Sequence, residues 1–260
     1  MKAQLLIGLF ILVLQCYALC NFKKIVDLTW NFDNDSVAWP GVQPFEYTKR
    51  VENEERGYWY AGGEFRSGEH VGTHMDAPYH FYKYGWKVGN IPVERLIAKG
   101  ALLDLHNETN SNGETGNINL EVQHLEKWER QNGPFEKGTV LLIKFGRSQH
   151  WLNITKYFEM DREKNLNFPG VSKGAAEWLA NSGKFYGVGL DTPSIDPGKS
   201  TDFMAHRILN GKQMYVLENV KLIDELPNRE FTLLVMPMKL REGSGGPVRV
   251  IALPKKVFDD

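Results

Sequence analysis

A chain of 260 residues with 42% hydrophobic and 24% charged residues can bury a sizeable core and has an ordinary globular composition. Its formal net charge of −1 gives no basic field for nucleic acid or anionic lipid, so we expect a small molecule or another protein as partner. No repeat, low-complexity stretch or Pro/Gly/Ser-rich linker divides the sequence after residue 20, which predicts one domain over 21–260.

The first twenty residues differ from the rest of the chain. Lys2 precedes the apolar run 5–14, and small residues, Ala18 and Cys20, stand at the −3 and −1 positions of a cleavage point. This pattern is typical of a secretory signal peptide, and the run is shorter than the roughly 20 apolar residues of a spanning helix. We expect cleavage after Cys20, secretion, and no membrane association afterwards. A retained anchor is the weaker alternative.

Both cysteines, Cys16 and Cys20, lie in this segment. The mature chain would therefore have no disulfide, no zinc-thiolate site and no thiol nucleophile. Asn-x-Ser/Thr sequons begin at Asn34, Asn107 and Asn153, and each is a site for a glycan in a eukaryotic secretory pathway.

Short apolar runs alternate with amphipathic segments along the mature chain, which predicts a mixed α/β fold. Strands are predicted at 24–28, 101–105, 139–145, 185–190, 214–217, 231–236 and 249–253. Helices are predicted at 93–99, 120–130, 172–181 and 201–209, and a surface loop at 107–119. Segment 68–81 fits neither period, because Gly68, Gly72 and Pro78 interrupt it, and it has the character of a loop that carries a site.

That loop places His70, His74, Asp76 and His80 within eleven residues. Imidazole nitrogens and carboxylate oxygens are good ligands for zinc, manganese or iron. Three such ligands leave positions for water, as a catalytic metal site requires. A lone histidine is usually a surface or core residue, but chance rarely assembles an H-x3-H-x-D-x3-H cluster.

The same segment resembles the signature of the cyclase family, H-x-G-T-H-x-D-x-P-x-H-F, and every fixed position is matched. The family includes bacterial kynurenine formamidases and isatin hydrolases. The similarity continues in GLDTPSIDP at 189–197, HRILNG at 206–211, LEN at 217–219, PMKL at 237–240 and GGPVR at 245–249. This ordered series covers nearly the whole mature chain, which makes it stronger evidence than one short motif.

The resemblance implies a ligand set. In dinuclear members of the family, the positions of His70, His74 and Asp76 bind one ion, and Asp76 bridges to a second ion held by His206 and Glu218. An irregular loop would be able to turn Asp76 toward both ions. Some members use one manganese ion, so we expect either one or two Zn²⁺ ions or Mn²⁺.

The resemblance also implies roles around the metal. His80 is expected to stay unmetallated and to act as general acid/base, protonating the departing nitrogen after attack by metal-activated water. Thr73 and Asp191 are candidates for orienting the imidazoles, although either residue could merely shape a turn. Trp39 and Tyr60 are candidates for the substrate pocket, because the family's substrates are often aromatic.

The expected fold is therefore a single-domain α/β fold of the cyclase family, swivelling β/β/α-like, with a β-rich core and packed helices, assembled as a homodimer. The expected function is hydrolysis of a small aromatic non-peptide amide, with N-formylkynurenine to kynurenine and formate as the leading reaction. Export is unusual for tryptophan catabolism and counts against that substrate. The alternatives are a cyclic-amide hydrolase of the isatin type and a secreted binding protein on a cyclase scaffold.

A competing motif, G-x-S-x-G, occurs at 170–174 around Ser172. In serine hydrolases this nucleophile elbow follows a buried strand. Here the preceding residues 161–168 are mostly charged or polar, and Ser172 precedes the amphipathic run AAEWL. We therefore interpret Ser172 as the N-cap of a helix.

The signal-peptide interpretation predicts that secreted protein begins at Asn21 and contains no cysteine. N-terminal sequencing of material recovered outside the cell measures this directly, and an intact Met1 there would contradict cleavage. Glycosidase treatment that changes the migration of the protein would separately confirm glycans on Asn34, Asn107 or Asn153.

Overall fold

A computed structural model describes residues 24–54, 57–108 and 118–255. The predicted signal peptide, its cleavage site and most of the predicted loop 107–119 lie outside the described residues. Within those described ranges, no helix is long and apolar enough to cross a membrane.

The described chain consists of strands joined by short helices. The strands are β1 (Val26–Asp27), β2 (Glu46–Asn53), β3 (Tyr60–Arg66), β4 (His74–Asp76), β5 (Ile97–Asp104), β6 (Thr139–Lys144), β7 (Phe185–Leu190), β8 (Tyr215–Glu218), β9 (Phe231–Pro237) and β10 (Gly245–Pro254). The α-helices are α1 (Val122–Asn132), α2 (Ile154–Tyr157), α3 (Lys173–Ser182) and α4 (Met204–Gly211). Single 3-10 turns lie at Pro78–His80, Val88–Asn90, Val93–Arg95 and Arg147–His150.

Seven strands form a closed ring in the order β10-β4-β8-β7-β6-β5-β9, and β9 pairs back onto β10. Strands β5 to β8 are parallel to one another, whereas β4, β9 and β10 pair antiparallel to their neighbours. Strand β1 pairs with β10 as well, and β2 and β3 form a separate two-stranded sheet. Parallel neighbours need crossover connections, which α1, α3 and α4 supply between successive parallel strands.

Side chains of the parallel strands alternate between two hydrophobic clusters. In β6, Val140 and Leu142 join the cluster that includes β9 and β10 side chains and fills the ring, whereas Leu141 and Ile143 join the cluster that contains the helices. Because successive side chains of a strand point to opposite faces, an uninterrupted apolar run is the sequence pattern of a strand buried on both faces. The core therefore has two parts, a filled barrel and a layer between the barrel and its helices.

The predicted mixed α/β class and β-rich core are confirmed, and so are the strands at 101–105, 139–145, 185–190, 214–217, 231–236 and 249–253, with shifted ends. The predicted strand 24–28 is reduced to β1. The helices at 120–130, 172–181 and 201–209 are confirmed as α1, α3 and α4.

Two predictions about elements are wrong. The predicted helix 93–99 makes only the turn Val93–Arg95, because from Ile97 the chain pairs with β9 and β6 as β5. Segment 68–81 is not entirely irregular, because His74–Asp76 pairs with both β8 and β10 as β4. Strands β2 and β3 were not predicted, since most of their residues are exposed and they show no clean apolar alternation.

The structure supports the interpretation of Ser172 as a helix cap. Its hydroxyl oxygen accepts a hydrogen bond from the Ala175 N–H at 3.2 Å and donates to Glu121 at 2.8 Å. We predict that Ser172→Ala lowers the free energy of unfolding by about 1 kcal/mol through the lost cap, whereas Ser172→Thr, which keeps the hydroxyl, lowers it far less. Urea denaturation of both variants measures the difference, and equal stability of Ser172→Ala and the parent would contradict the capping role.

Candidate metal centre

Strand β4 places two of the predicted ligands on one face of the sheet. Met75 belongs to the cluster that fills the barrel, so His74 and Asp76, one residue to either side, point the other way. His74 lies opposite Glu218 of β8 in the strand register. The His74 Nε2 atom is 3.3 Å from Asp76 Oδ1 and 3.4 Å from Glu218 Oε2, so both carboxylates face one imidazole.

Helix α4 brings a fourth predicted ligand, His206, to the same carboxylates. Its Nε2 atom lies 3.1 Å from Asp76 Oδ2 and 3.3 Å from Glu218 Oε1. The carboxylate of Asp196 accepts hydrogen bonds from the N–H groups of Ala205 and His206, at 2.8 and 3.1 Å, and lies 2.6 Å from His206 Nδ1. Asp196 therefore holds both the first turn of α4 and the orientation of the His206 ring.

His70 approaches Asp76 from the segment before β4. Its Nδ1 atom is 2.6 Å from Asp76 Oδ1, and its Nε2 atom is 2.9 Å from the hydroxyl of Ser244. Two glycines permit this approach. Gly72 has a φ of +65°, which side chains rarely adopt, and a Cβ on Gly245 would lie 2.6 Å from the His70 ring.

His80 ends the 3-10 turn that follows β4 and stacks on His70, with ring centroids 4.1 Å apart. The pKa of His80 is lowered to about 4, chiefly by burial. The charges of His70 and His206 act in the same direction, and together these effects outweigh the opposing carboxylates of Asp76 and Glu218. The His80 ring is therefore neutral at neutral pH.

The two buried carboxylates dominate the electrostatics of the centre. Burial alone would raise the pKa of Asp76, but the charges of His70 and His80 and a hydrogen bond from His206 hold it well below its ordinary value. Burial alone would lower the pKa of His74, but Asp76 and Glu218 raise it to about 10. The two carboxylates therefore favour a positive charge beside them.

The residues present fit a divalent ion. The His74 Nε2 atom is buried without a hydrogen-bond partner, although two carboxylates lie within 3.4 Å. Ligand atoms of His74, Asp76 and Glu218 lie within 4.8 Å of one another, and so do those of His70, Asp76 and His80. Asp76 belongs to both groups, as a bridging carboxylate would. Such a set of nitrogens and oxygens suits zinc or manganese.

All five predicted ligands therefore meet at one place, together with His80. The grouping differs from the expected one in that His74 lies near Glu218, and His80 stands close enough to His70 and Asp76 to offer a nitrogen itself. The unmetallated role of His80 and the division of ligands between two ions remain predictions.

Neither candidate partner of the imidazoles, Thr73 or Asp191, contacts a histidine, and the alternative that they shape the backbone fits the structure better. The Thr73 hydroxyl donates to the carbonyl of Asn219, and Asp191 accepts from the N–H groups of Phe145 and Ser148, so neither reaches a histidine. The partners are instead Asp196 for His206 and the carbonyl of Gly72, 2.9 Å from Nδ1, for His74. The sequence offered no signal that separates Asp196 from Asp191, because both stand in the same GLDTPSIDP motif.

The centre opens into a cavity of about 230 Å³. The histidines and Glu218 line its metal-binding side together with Ser194 and Asn219, and the rest of the lining is an apolar wall: Val37, Trp39, Val42, Phe81, Pro193 and Phe203. The predicted pocket residue Trp39 lies on this wall. Tyr60 does not line the cavity, because β3 holds it on the separate two-stranded sheet with 54% of its surface exposed. Ser172 does not line it either, which removes the serine-nucleophile alternative from this site.

Comparison with known proteins shows which family the chain belongs to. The family model Cyclase matches residues 26–197. A kynurenine formamidase from Bacillus anthracis is 28% identical over 235 residues, which cover 89% of this chain and 98% of that protein. Isatin hydrolase A from Ralstonia solanacearum is 28% identical with a TM-score of 0.79, over 89% of this chain and 92% of that one.

A further solved structure, of a potential metal-dependent hydrolase with cyclase activity, has a TM-score of 0.66 over 88% of this chain and 96% of that one. At 21% identity it shows the shared fold alone. The family model covers more than half of the sequence, and the curated relatives and solved structures extend along most of it. The chain belongs to the cyclase family.

Proposed function

We propose that this chain is a metal-dependent amidohydrolase acting on a small aromatic amide, with hydrolysis of an aryl formamide as its leading activity. The observation that carries the proposal is the buried, unpartnered Nε2 of His74 between two carboxylates, on the metal-binding side of a cavity with an aromatic wall. Similarity to a kynurenine formamidase supports the formamide, and N-formylkynurenine is the first substrate to test.

His70, His74, Asp76, His206 and Glu218 would hold one or two ions, zinc or manganese. When bound, such an ion lowers the pKa of a water molecule toward about 7 and polarises a carbonyl group. The Gly72 carbonyl fixes the ring of His74 in advance, and Asp196 fixes that of His206, so that the Nε2 atom of each ring faces the carboxylates.

The cavity would bind the substrate, and His80 would transfer the proton. The rings of Trp39, Phe81 and Phe203 would pack against an aromatic substrate and exclude bulk water from the reacting carbonyl. His80 stands beside His70 and Asp76 on the same cavity. It would take a proton from the attacking water and deliver it to the leaving nitrogen of the amide.

A cyclic amide is the second candidate substrate, favoured by the likeness to isatin hydrolase A and by the apolar wall, which suits a flat ring. A binding protein on this scaffold is the third candidate, although mere binding gives no reason to place His80 beside the ligands. Formanilides, lactams and cyclic imides offered with zinc or manganese separate the three, since a binder turns over none of them.

Secretion and a homodimer are further parts of the proposal. Secretion rests on the first twenty residues of the sequence. The dimer is supported by the two-stranded sheet, where the cross-strand neighbours Tyr47 and Phe65 are 44% and 49% exposed, because exposed apolar patches are frequent at protein interfaces.

The first prediction for this function concerns the metal. Protein purified without chelator is expected to contain one or two divalent ions per chain, and removal of these ions is expected to abolish hydrolysis until zinc or manganese is restored. Elemental analysis alongside the rate measures both quantities. Full activity in protein shown to be free of metal would falsify the proposal.

The second prediction separates the role of His80 from that of His74. His80→Ala is expected to keep its metal and to lose roughly 10²–10⁴-fold in turnover of the amide, the usual contribution of a positioned acid/base. The loss should be smaller for an activated ester, whose leaving group needs no proton. His74→Ala is expected to lose metal and both activities together.

The matched control is His150→Ala, because the side chain of His150 does not line the cavity. It is expected to keep metal content and both rates at the level of the parent. If His80→Ala empties the site as His74→Ala does, His80 is a ligand and the assignment of an acid/base role is wrong.

A further inference from the structure

A chain of hydrogen bonds leads from His70 away from the metal centre to Ser244 and Glu69. His70 Nε2 lies 2.9 Å from Ser244 Oγ, and that hydroxyl lies 2.7 Å from Glu69 Oε2. The same carboxylate oxygen lies 2.8 Å from the N–H of Ser244 and 3.3 Å from the N–H of Gly245. Neither Ser244 nor Glu69 lines the cavity.

The backbone fixes the direction of this chain. An N–H group can only donate, so Glu69 Oε2 accepts from the loop before β10 and acts as an acceptor toward the Ser244 hydroxyl as well. The proton of that hydroxyl therefore points to Glu69, and its oxygen lone pair is left for His70. His70 then donates from Nε2 to Ser244. With an ion bound, the neutral ring would keep its one proton there and present the lone pair of Nδ1, the nitrogen that lies 2.6 Å from Asp76 Oδ1.

The other two imidazoles have the opposite arrangement. His74 Nδ1 faces the carbonyl of Gly72, which only accepts, and His206 Nδ1 faces the Asp196 carboxylate. Both therefore hold the proton on Nδ1 and turn Nε2 toward Asp76 and Glu218. All three rings have an outer oxygen partner, but only His70 presents its δ nitrogen to the centre.

We propose that Glu69 and Ser244 are positioning residues for the metal centre: they fix the tautomer of His70 so that Nδ1, and not Nε2, binds the ion. This inference rests on the proposed function, since it takes the cluster to be a metal site. Partners of this kind typically change metal affinity by 10–100-fold when they are removed.

Ser244→Ala tests the proposal cleanly, because Glu69 keeps its two backbone bonds to the loop and only the partner of His70 Nε2 is lost. The variant is expected to bind zinc 10–100-fold more weakly than the parent in a chelator competition, whereas Ser244→Thr, which keeps a hydroxyl, is expected to recover most of the affinity. Ser67→Ala is the matched control, since that hydroxyl donates only to the adjacent Gly68 carbonyl. It should bind zinc like the parent.

The tautomer has its own measurement, independent of turnover. In ¹⁵N spectra of the histidine side chains of zinc-loaded protein, His70 is expected to show a protonated Nε2, whereas His74 and His206 show a protonated Nδ1. A protonated Nδ1 on His70, or unchanged zinc affinity in Ser244→Ala, would overturn the positioning role of Glu69 and Ser244 while leaving the metal centre intact. Failure of the parent protein to bind zinc or manganese at all would overturn this positioning role and the proposed function together.

Discussion

The pairing of β4 with β8 is the constraint on which the rest of the site depends. It sets His74 opposite Glu218 and, by the two-residue period of a strand, puts Asp76 on the same face. A register shift of one residue would turn His74 and Asp76 into the barrel and bring Met75, now buried among apolar side chains, to the face that carries the candidate metal centre. The barrel core therefore fixes the ligand geometry, because Met75 must stay inside it.

The local part of the site could be predicted from the sequence because His70, His74, Asp76 and His80 fall in one motif. His206 and Glu218 are different, since each alone is an ordinary helix or strand residue and only the resemblance to a family singled them out. The fold brings them to Asp76 through α4 and β8. Their role depends on which strands become neighbours, and no local pattern states that.

Contacts that support the ligands could not be predicted. Thr73 and Asp191 were reasonable candidates. Asp196 is the residue that contacts His206 because it binds the first turn of α4, where His206 lies. The misassigned helix 93–99 has a similar cause. Pro92 and the following apolar residues favour a helical turn, yet pairing of β5 with β6 and β9 stabilises the extended chain more strongly.

Asp196 has two roles at once: it accepts the N–H groups of the first turn of α4, and it orients the His206 ring on that same turn. An ion held by His206 would therefore also restrain the helix that crosses between β7 and β8. Ligands that bind only the native state add RT ln(1 + [L]/Kd) to its stability, about 2.7 kcal/mol at a hundredfold excess over Kd. On the proposed function, the free energy of unfolding of this chain would therefore rise and fall with the divalent-ion supply in its surroundings.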